Sequence, residues 1–266
     1  MTQRLASSTT TPLLSVEGIG VRFGGLAALN AVSFEVHTGD IVGLIGPNGA
    51  GKTTLFNVIC GFVKPSAGSI SFAGKSRTGT KPNRLAKIGI ARTLQGVGLF
   101  AGMSVLDNVV SGAQSRTSAD VISSMLALPH VGISQAKLEH EAMGHLERLG
   151  IAHVAGAYPG ALPYGIQKKV SVARALMTRP KLLMLDEPAS GLSETEVHDF
   201  ADLIRDLKAE MSILLVEHNM DFVMPLCEQL VVLNFGEVIA KGTPAEVSKD
   251  PAVLAAYLGA DDEGAA

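Results

Sequence analysis

The sequence predicts an α/β fold: a parallel sheet with a phosphate-binding loop at its edge. Three observations carry this. Residues Gly46-Pro47-Asn48-Gly49-Ala50-Gly51-Lys52-Thr53 fit G-x-x-x-x-G-K-[ST]. The apolar run from Asp40 to Ile45 before them reads as a buried strand, and Thr54 to Ile59 after them reads as a helix. Further apolar runs are short, as expected of strands covered on both faces. Strand, loop, helix is the setting in which successive backbone N–H groups cradle phosphate oxygens at a helix N-terminus.

In chain order, Met1 to Pro12 is rich in Ser and Thr, has no apolar core segment of a signal peptide, and is expected to be a disordered leader. Leu13 to Glu17 and Val32 to Val36 read as strands, with a turn at Gly24-Gly25. Ser69 to Phe72 is a further strand and Ser76 to Arg84 a polar loop. From Ser104 the helical period takes over. Val105, Leu106, Val109 and Val110 share one face behind Ser104, a fitting N-cap. Val121 to Leu128 and Ala136 to Leu149 are expected as two more helices, separated by Pro129 and Gly132. This helical block, about 100–165, reads as an insertion into the α/β domain. The α/β pattern resumes with helix Lys169 to Thr178, strand Leu182 to Leu185, helix Glu194 to Glu210 and strand Ile213 to Val216. A hairpin follows at Leu230 to Leu233 and Val238 to Ala240, turning at Gly236. Pro244 to Val247 and Ala252 to Leu258 read as short helices, and 259–266 as a frayed tail. One domain over 13–258 is therefore expected.

Composition narrows the function. The formal net charge of -3 offers no electrostatic case for nucleic acid as a partner. Mean hydropathy is +0.30, yet no apolar stretch approaches the ~18 residues that cross a bilayer. The two cysteines, Cys60 and Cys227, sit in apolar elements without metal-ligand spacing and read as buried free thiols.

The loop calls for a nucleotide with Mg²⁺. Asn48, Gly49, Ala50, Gly51, Lys52, Thr53 and Thr54 are the expected phosphate contacts. Lys52 would reach the β- and γ-phosphates, and the Thr53 hydroxyl would bind the metal. Asp186 and Glu187 end the apolar strand from Leu182, at the carboxyl edge of the sheet where ligands of such folds bind. Asp186 would hold Mg²⁺ through water, and Glu187 would align the attacking water. His218, after the strand ending at Val216, is placed to contact the γ-phosphate; a surface histidine is the competing reading. Gln95 is a candidate ligand to Mg²⁺ or water.

In this order, these residues resemble an ABC-type ATPase subunit. The resemblance covers nearly all of Leu13 to Leu258. It implies an α/β P-loop NTPase, the ABC-type nucleotide-binding domain, with an antiparallel β subdomain and an inserted helical subdomain. It also implies a Q-loop at Gln95, a D-loop at Ser190 to Ser193 and a switch residue at His218. Phe23 falls where the family stacks an aromatic on adenine. The family's signature loop corresponds to Leu162-Pro163-Tyr164-Gly165-Ile166-Gln167-Lys168-Lys169, with Leu162 and Gly165 as its nucleotide contacts. In the family this loop caps the γ-phosphate held by the opposite subunit. Phe23 to Leu29, Ala91 to Gln95 and Pro251 to Gly259 are similar to the ATPase subunits of branched-chain amino acid importers.

What the resemblance implies is an ATP-hydrolysing importer subunit using ATP and Mg²⁺, peripheral on the cytoplasmic face of the plasma membrane. Its partners would be integral membrane permease subunits and a second ABC ATPase, a heterodimer being favoured. No direct contact with the transported substrate is expected. Val97 to Phe100 and the helix after them are the expected docking surface. Two departures stand out: Pro163 where the signature has Ser, and Ile166 where it has Gln. Proline offers neither hydroxyl nor N–H, so one γ-phosphate hydrogen bond is lost in the partner's site. That leaves a weakly hydrolysing or regulatory subunit as an alternative, against which Glu187 and His218 speak. A soluble ABC ATPase unconnected with transport is another. No Asn-Lys-x-Asp base reader for a GTPase is present.

Overall fold

The computed structural model describes residues 11–93, 96–116 and 129–262, apart from the side chains at 115, 129–134 and 258–262. The expected helix Val121 to Leu128 and the candidate Gln95 lie outside the described residues.

Among the described residues, ten strands form two sheets. β1 (Leu14–Phe23), β2 (Leu26–Val36), β4 (Ala67–Phe72) and β5 (Lys75–Ser76) pair antiparallel in the order β2-β1-β4-β5. The larger sheet has the order β10-β9-β3-β8-β7-β6. Its members are β3 (Ile41–Ile45), β6 (Ile90–Arg92), β7 (Leu182–Asp186), β8 (Ser212–Val216), β9 (Gln229–Asn234) and β10 (Glu237–Gly242). All its pairs are parallel except β9 with β10. The helices are α1 (Lys52–Ile59), α2 (Leu85–Ile88), α3 (Val105–Ser111), α4 (Pro129–Arg148), α5 (Tyr164–Leu176), α6 (Glu194–Leu207), α7 (Met220–Val223), α8 (Pro244–Val247) and α9 (Pro251–Asp262).

The period of two in a strand builds two cores from one sheet. Ile41, Ile45, Leu183, Leu185, Ile213 and Leu215 pack toward the helical layer with α3, α5 and α6. Val42, Leu44, Leu182, Met184, Leu214 and Val216 pack against α1 and the antiparallel sheet. Burial on both faces is why these strands read as continuous apolar runs.

Local chemistry sets the element ends. The Ser104 hydroxyl accepts from the Asp107 N–H at 3.1 Å, as its capping position predicts. Ser193 and Glu196 form a capping box on α6. Several boundaries differ from those expected: β1 and β2 extend toward each other to Phe23 and Leu26, for example. The helix expected from Lys169 begins at Tyr164, with Pro163 at the cap: a fixed φ near -65° suits a helix start. The helix expected from Ala136 begins at Pro129, so Pro129 and Gly132 lie within the start of α4; proline is tolerated in a first turn, where its missing N–H has no partner to lose. β6 was not expected, since three residues carry no period. α9 runs to Asp262, into the stretch read as a frayed tail.

One ion-pair cluster ties the helical block to α5. Glu141 on α4 accepts from Arg116 (2.7 and 3.1 Å) and from Arg179 (3.0 and 3.1 Å). Chiefly through the Arg116 hydrogen bonds, its carboxyl is lowered to about 2. A depressed carboxylate stabilises the fold above its unfolded value of 4.5, and the contribution is lost as pH falls from there to about 2. Glu141→Gln is expected to cost about 1–3 kcal/mol at pH 7, or about 2–4 °C in Tm per kcal/mol. The deficit should shrink toward pH 2–3 in thermal melts.

Candidate active site

Because β3, β7, β8 and β9 run parallel, their carboxyl ends meet at one edge. Onto that edge they deliver the loop after Ile45, the pair Asp186-Glu187, Glu217-His218, and the turn at Phe235-Gly236. The loop's first glycine is obligatory: Gly46 has φ 147°, and a Cβ there would stand 2.1 Å from the Leu233 carbonyl oxygen. The β9–β10 turn pins the loop from below, the Gly236 N–H donating to Ala50 O at 2.9 Å.

Lys52 is buried, and its ammonium donates to Gly46 O (2.6 Å) and Pro47 O (2.9 Å). Burial lowers its pKa, and the charges of Glu187 and Glu217 pull it back up. Reaching a phosphate means exchanging these two carbonyls for phosphate oxygens at the same loop. Asn48, Gly49 and Thr53 are exposed around it, Gly51 and Thr54 half-buried, and Ala50 buried.

Asp186 is buried at the end of β7 and pairs with Arg92 (2.9 Å). Burial raises its pKa, opposed by the Arg92 hydrogen bond and charge. Glu187 follows in a left-handed conformation, φ 47°, uncommon for a residue with a side chain. Its N–H donates to Val216 O (2.9 Å), and its carbonyl accepts from Lys168 (2.9 Å). The backbone thus leaves the strand conformation directly after Asp186. His218 is exposed on the neighbouring strand end. Phe23 is 53% exposed at the tip of the β1–β2 hairpin, its ring open for stacking.

Two further side chains organise this edge. Glu217 is fully buried and accepts from the Ala189 N–H (2.7 Å), the His218 N–H (2.9 Å) and the Asn219 N–H (3.2 Å). It locks the loop after Glu187 to the loop bearing His218. Lys168, from the first turns of α5, donates to Glu187 O and to Pro188 O (2.7 Å), joining the stretch from Leu162 to the same loop. Neither residue has a role legible from the sequence: a charge directly after the apolar run Ile213 to Val216 is the one signal for Glu217, and Lys168, between Gln167 and Lys169, carries none.

From Tyr164 the stretch forms the first turns of α5 rather than a loop, with Leu162 and Pro163 extended before it. Gly165 lies against α6 so closely that a Cβ would meet Glu196 Oε1 at 2.5 Å. Pro163 is exposed and supplies no side-chain cap to the first N–H groups of the helix.

Thr53 and Asp186 offer hard oxygen donors, which suit Mg²⁺. Among the described residues, no group of three or more His, Cys, Asp or Glu is placed to hold a metal ion. That fits an ion held by one or two protein groups with phosphates and water.

The model of the family described as "ABC transporter" matches residues 29–190. The chain belongs to the ABC transporter family. It is an ATPase of that family, with the ATP-binding fold of an ABC cassette. A second model, "Branched-chain amino acid ATP-binding cassette transporter", matches residues 237–263. The chain is 40% identical to the high-affinity branched-chain amino acid transport ATP-binding protein LivG of Salmonella typhimurium, over 93% of this chain and 98% of that one. It is 38% identical to BraF of Pseudomonas aeruginosa, a protein described in the same words, with the same coverage. A crystal structure of a nucleotide-free ATP-binding cassette from an ABC transporter superposes with a TM-score of 0.81 at 34% identity, covering 93% of this chain and 99% of that one. The ADP conformation of an ABC transporter cassette gives 0.80 at 32%, covering 94% and 100%. The expected family and fold class are thereby borne out.

Proposed function

We propose that this subunit hydrolyses MgATP to drive uptake of branched-chain or related amino acids through separate membrane permeases. The carrying observation is the convergence of the P-loop, Asp186-Glu187 and His218 on one sheet edge, in a chain whose residues 237–263 match the branched-chain model. Lys52 and the P-loop N–H groups hold the phosphates, and Phe23 stacks on the base. Thr53, Asp186 and Gln95 would hold Mg²⁺, which when bound supplies charge neutralisation on the β- and γ-phosphates. Glu187 accepts the proton of the attacking water, and His218 contacts the γ-phosphate. Leu162 and Gly165 face the nucleotide of a second ATPase subunit, whose own signature completes the site at Lys52.

No helix among the described residues is long and apolar enough to cross a membrane. We place the subunit on the cytoplasmic face, docked to permeases through a groove of about 460 Å³. Phe62, Leu85, Arg92, Phe100 and Arg174 line it. Phe62 and Phe100 are 58% and 54% exposed, so they are not core residues. Arg174 braces this wall by donating to Gly98 O (2.7 Å) and lying 5.9 Å from the Phe100 ring centroid. The helix after Phe100 contributes less than expected, because Val105 and Val109 are buried in the core. Co-expression with permeases, followed by ATP-dependent uptake of labelled leucine into proteoliposomes, tests the reading. Uptake that is independent of ATP overturns it.

We favour a heterodimer, as in the importers this chain resembles: with Pro163 in this chain's signature, a partner with an intact signature gives one strong site and one weak one, whereas a homodimer would have two weak ones. Pro163→Ser in the assembled complex is expected to preserve ATP turnover or raise it by up to roughly fivefold, the worth of one hydrogen bond. Serine would also cap α5. A steep fall in phosphate release would show a positive role for Pro163.

A further inference from the structure

One side chain touches both the docking groove and the metal-orienting carboxylate. Arg92 ends the edge strand β6 and has two hydrogen-bonded anchors. One guanidinium nitrogen meets Asp186 Oδ2 at 2.9 Å, and the other meets Asn57 Oδ1 on α1 at 2.8 Å. Its guanidinium carbon lies 4.8 Å from the Phe56 ring centroid and 5.4 Å from that of Phe62. Phe56 is buried beneath, whereas Phe62 stands exposed in the groove that Arg92 also lines. The Asp186 side chain is only 2% exposed and that of Arg92 13%. A pair this dry is sensitive to any further loss of water, because the attraction grows as the local dielectric falls.

We propose that Arg92 is a positioning residue that relays occupation of the groove to Asp186. An apolar segment seated against Phe62 withdraws water from the outer face of the guanidinium. Its hold on Asp186 Oδ2 tightens, and the carboxylate becomes a poorer partner for the metal of MgATP. Retreat of that segment reverses the effect. Docking would therefore be felt at the metal without any movement of the P-loop. If Arg92 did no more than neutralise a buried acid, groove and metal would not be coupled.

The inference deepens the docking reading and rests on it, but its test needs no permease, so each can fail alone. Phe62→Cys places a thiol in the groove, and a bulky apolar maleimide on it stands in for the occupant. Cys60 and Cys227 are buried, and burial pushes both thiols above their ordinary range, Cys60 to about 11, so the label goes to the new site. Mn²⁺ affinity in the presence of ATP is read by electron paramagnetic resonance, and ATP affinity in EDTA serves as control. With Arg92 present, labelling is expected to weaken Mn²⁺ binding by about fivefold or more, the lower end of allosteric couplings. In Arg92→Lys, which keeps the charge but cannot hold Asp186 and Asn57 together, the effect should fall within about twofold. Equal shifts in both backgrounds, no shift in either, or a matching change in EDTA overturns the proposal. If Arg92→Lys does not fold, Asn57→Ser removes the second anchor instead; an undiminished shift there overturns it equally.

Discussion

Replacing Lys52 with alanine is expected to raise the Kd for ATP at least about 100-fold, the cost of removing one partner of a desolvated charge pair. The ammonium is buried and held by two loop carbonyls, so much of its dehydration is already complete before phosphate arrives. Glu187 and Glu217 oppose the fall in its pKa, and bound phosphates add negative charge in the same sense, keeping it protonated. Alanine removes the ammonium from Gly46 O and Pro47 O, the latter keeping only the Ala50 N–H at 3.2 Å, and leaves the phosphates without the loop's lysine. Thermal melts should show a folded protein, since the loop is also pinned at Ala50 by Gly236. Unchanged ATP affinity would remove the P-loop assignment.

Glu187→Gln is expected to lower ATP turnover by about 10²- to 10⁴-fold, the range for loss of a general base, while ATP affinity is retained. The left-handed backbone at Glu187 is held from both sides, by Val216 O and by Lys168, and neither contact involves the carboxylate. Glutamine therefore occupies the same place with the same shape and lacks only the ability to take a proton. Phosphate release and nucleotide binding on one preparation separate the two effects. Wild-type turnover would assign water activation elsewhere.

Much of the candidate site is legible in the sequence because its chemistry is contiguous. The P-loop lies in eight consecutive residues, and Asp186-Glu187 and His218 each follow an apolar run whose end marks the ligand edge. Arg92, Lys168 and Glu217 were not legible as a group. Their partners lie on other elements, Asp186 for Arg92, Glu187 and Pro188 for Lys168, Ala189 for Glu217, and only the sheet order brings them together. The start of α5 was misplaced for a related reason. Pro163 and Gly165 look like loop residues, yet one suits a helix cap and the other is small because Glu196 lies against it. β6 went unread since its three residues are defined by pairing with β7, not by a period of their own.

The most direct test of the central claim is MgATP-dependent phosphate release by the assembled complex, with this subunit added in increasing amounts to a fixed amount of its partner ATPase and permeases. An ATPase site completed in trans predicts release that rises to a plateau as the subunit is added and that stays lower when the added subunit is Lys52→Ala. Release that does not change on adding the subunit, or that is the same with Lys52→Ala, would contradict it.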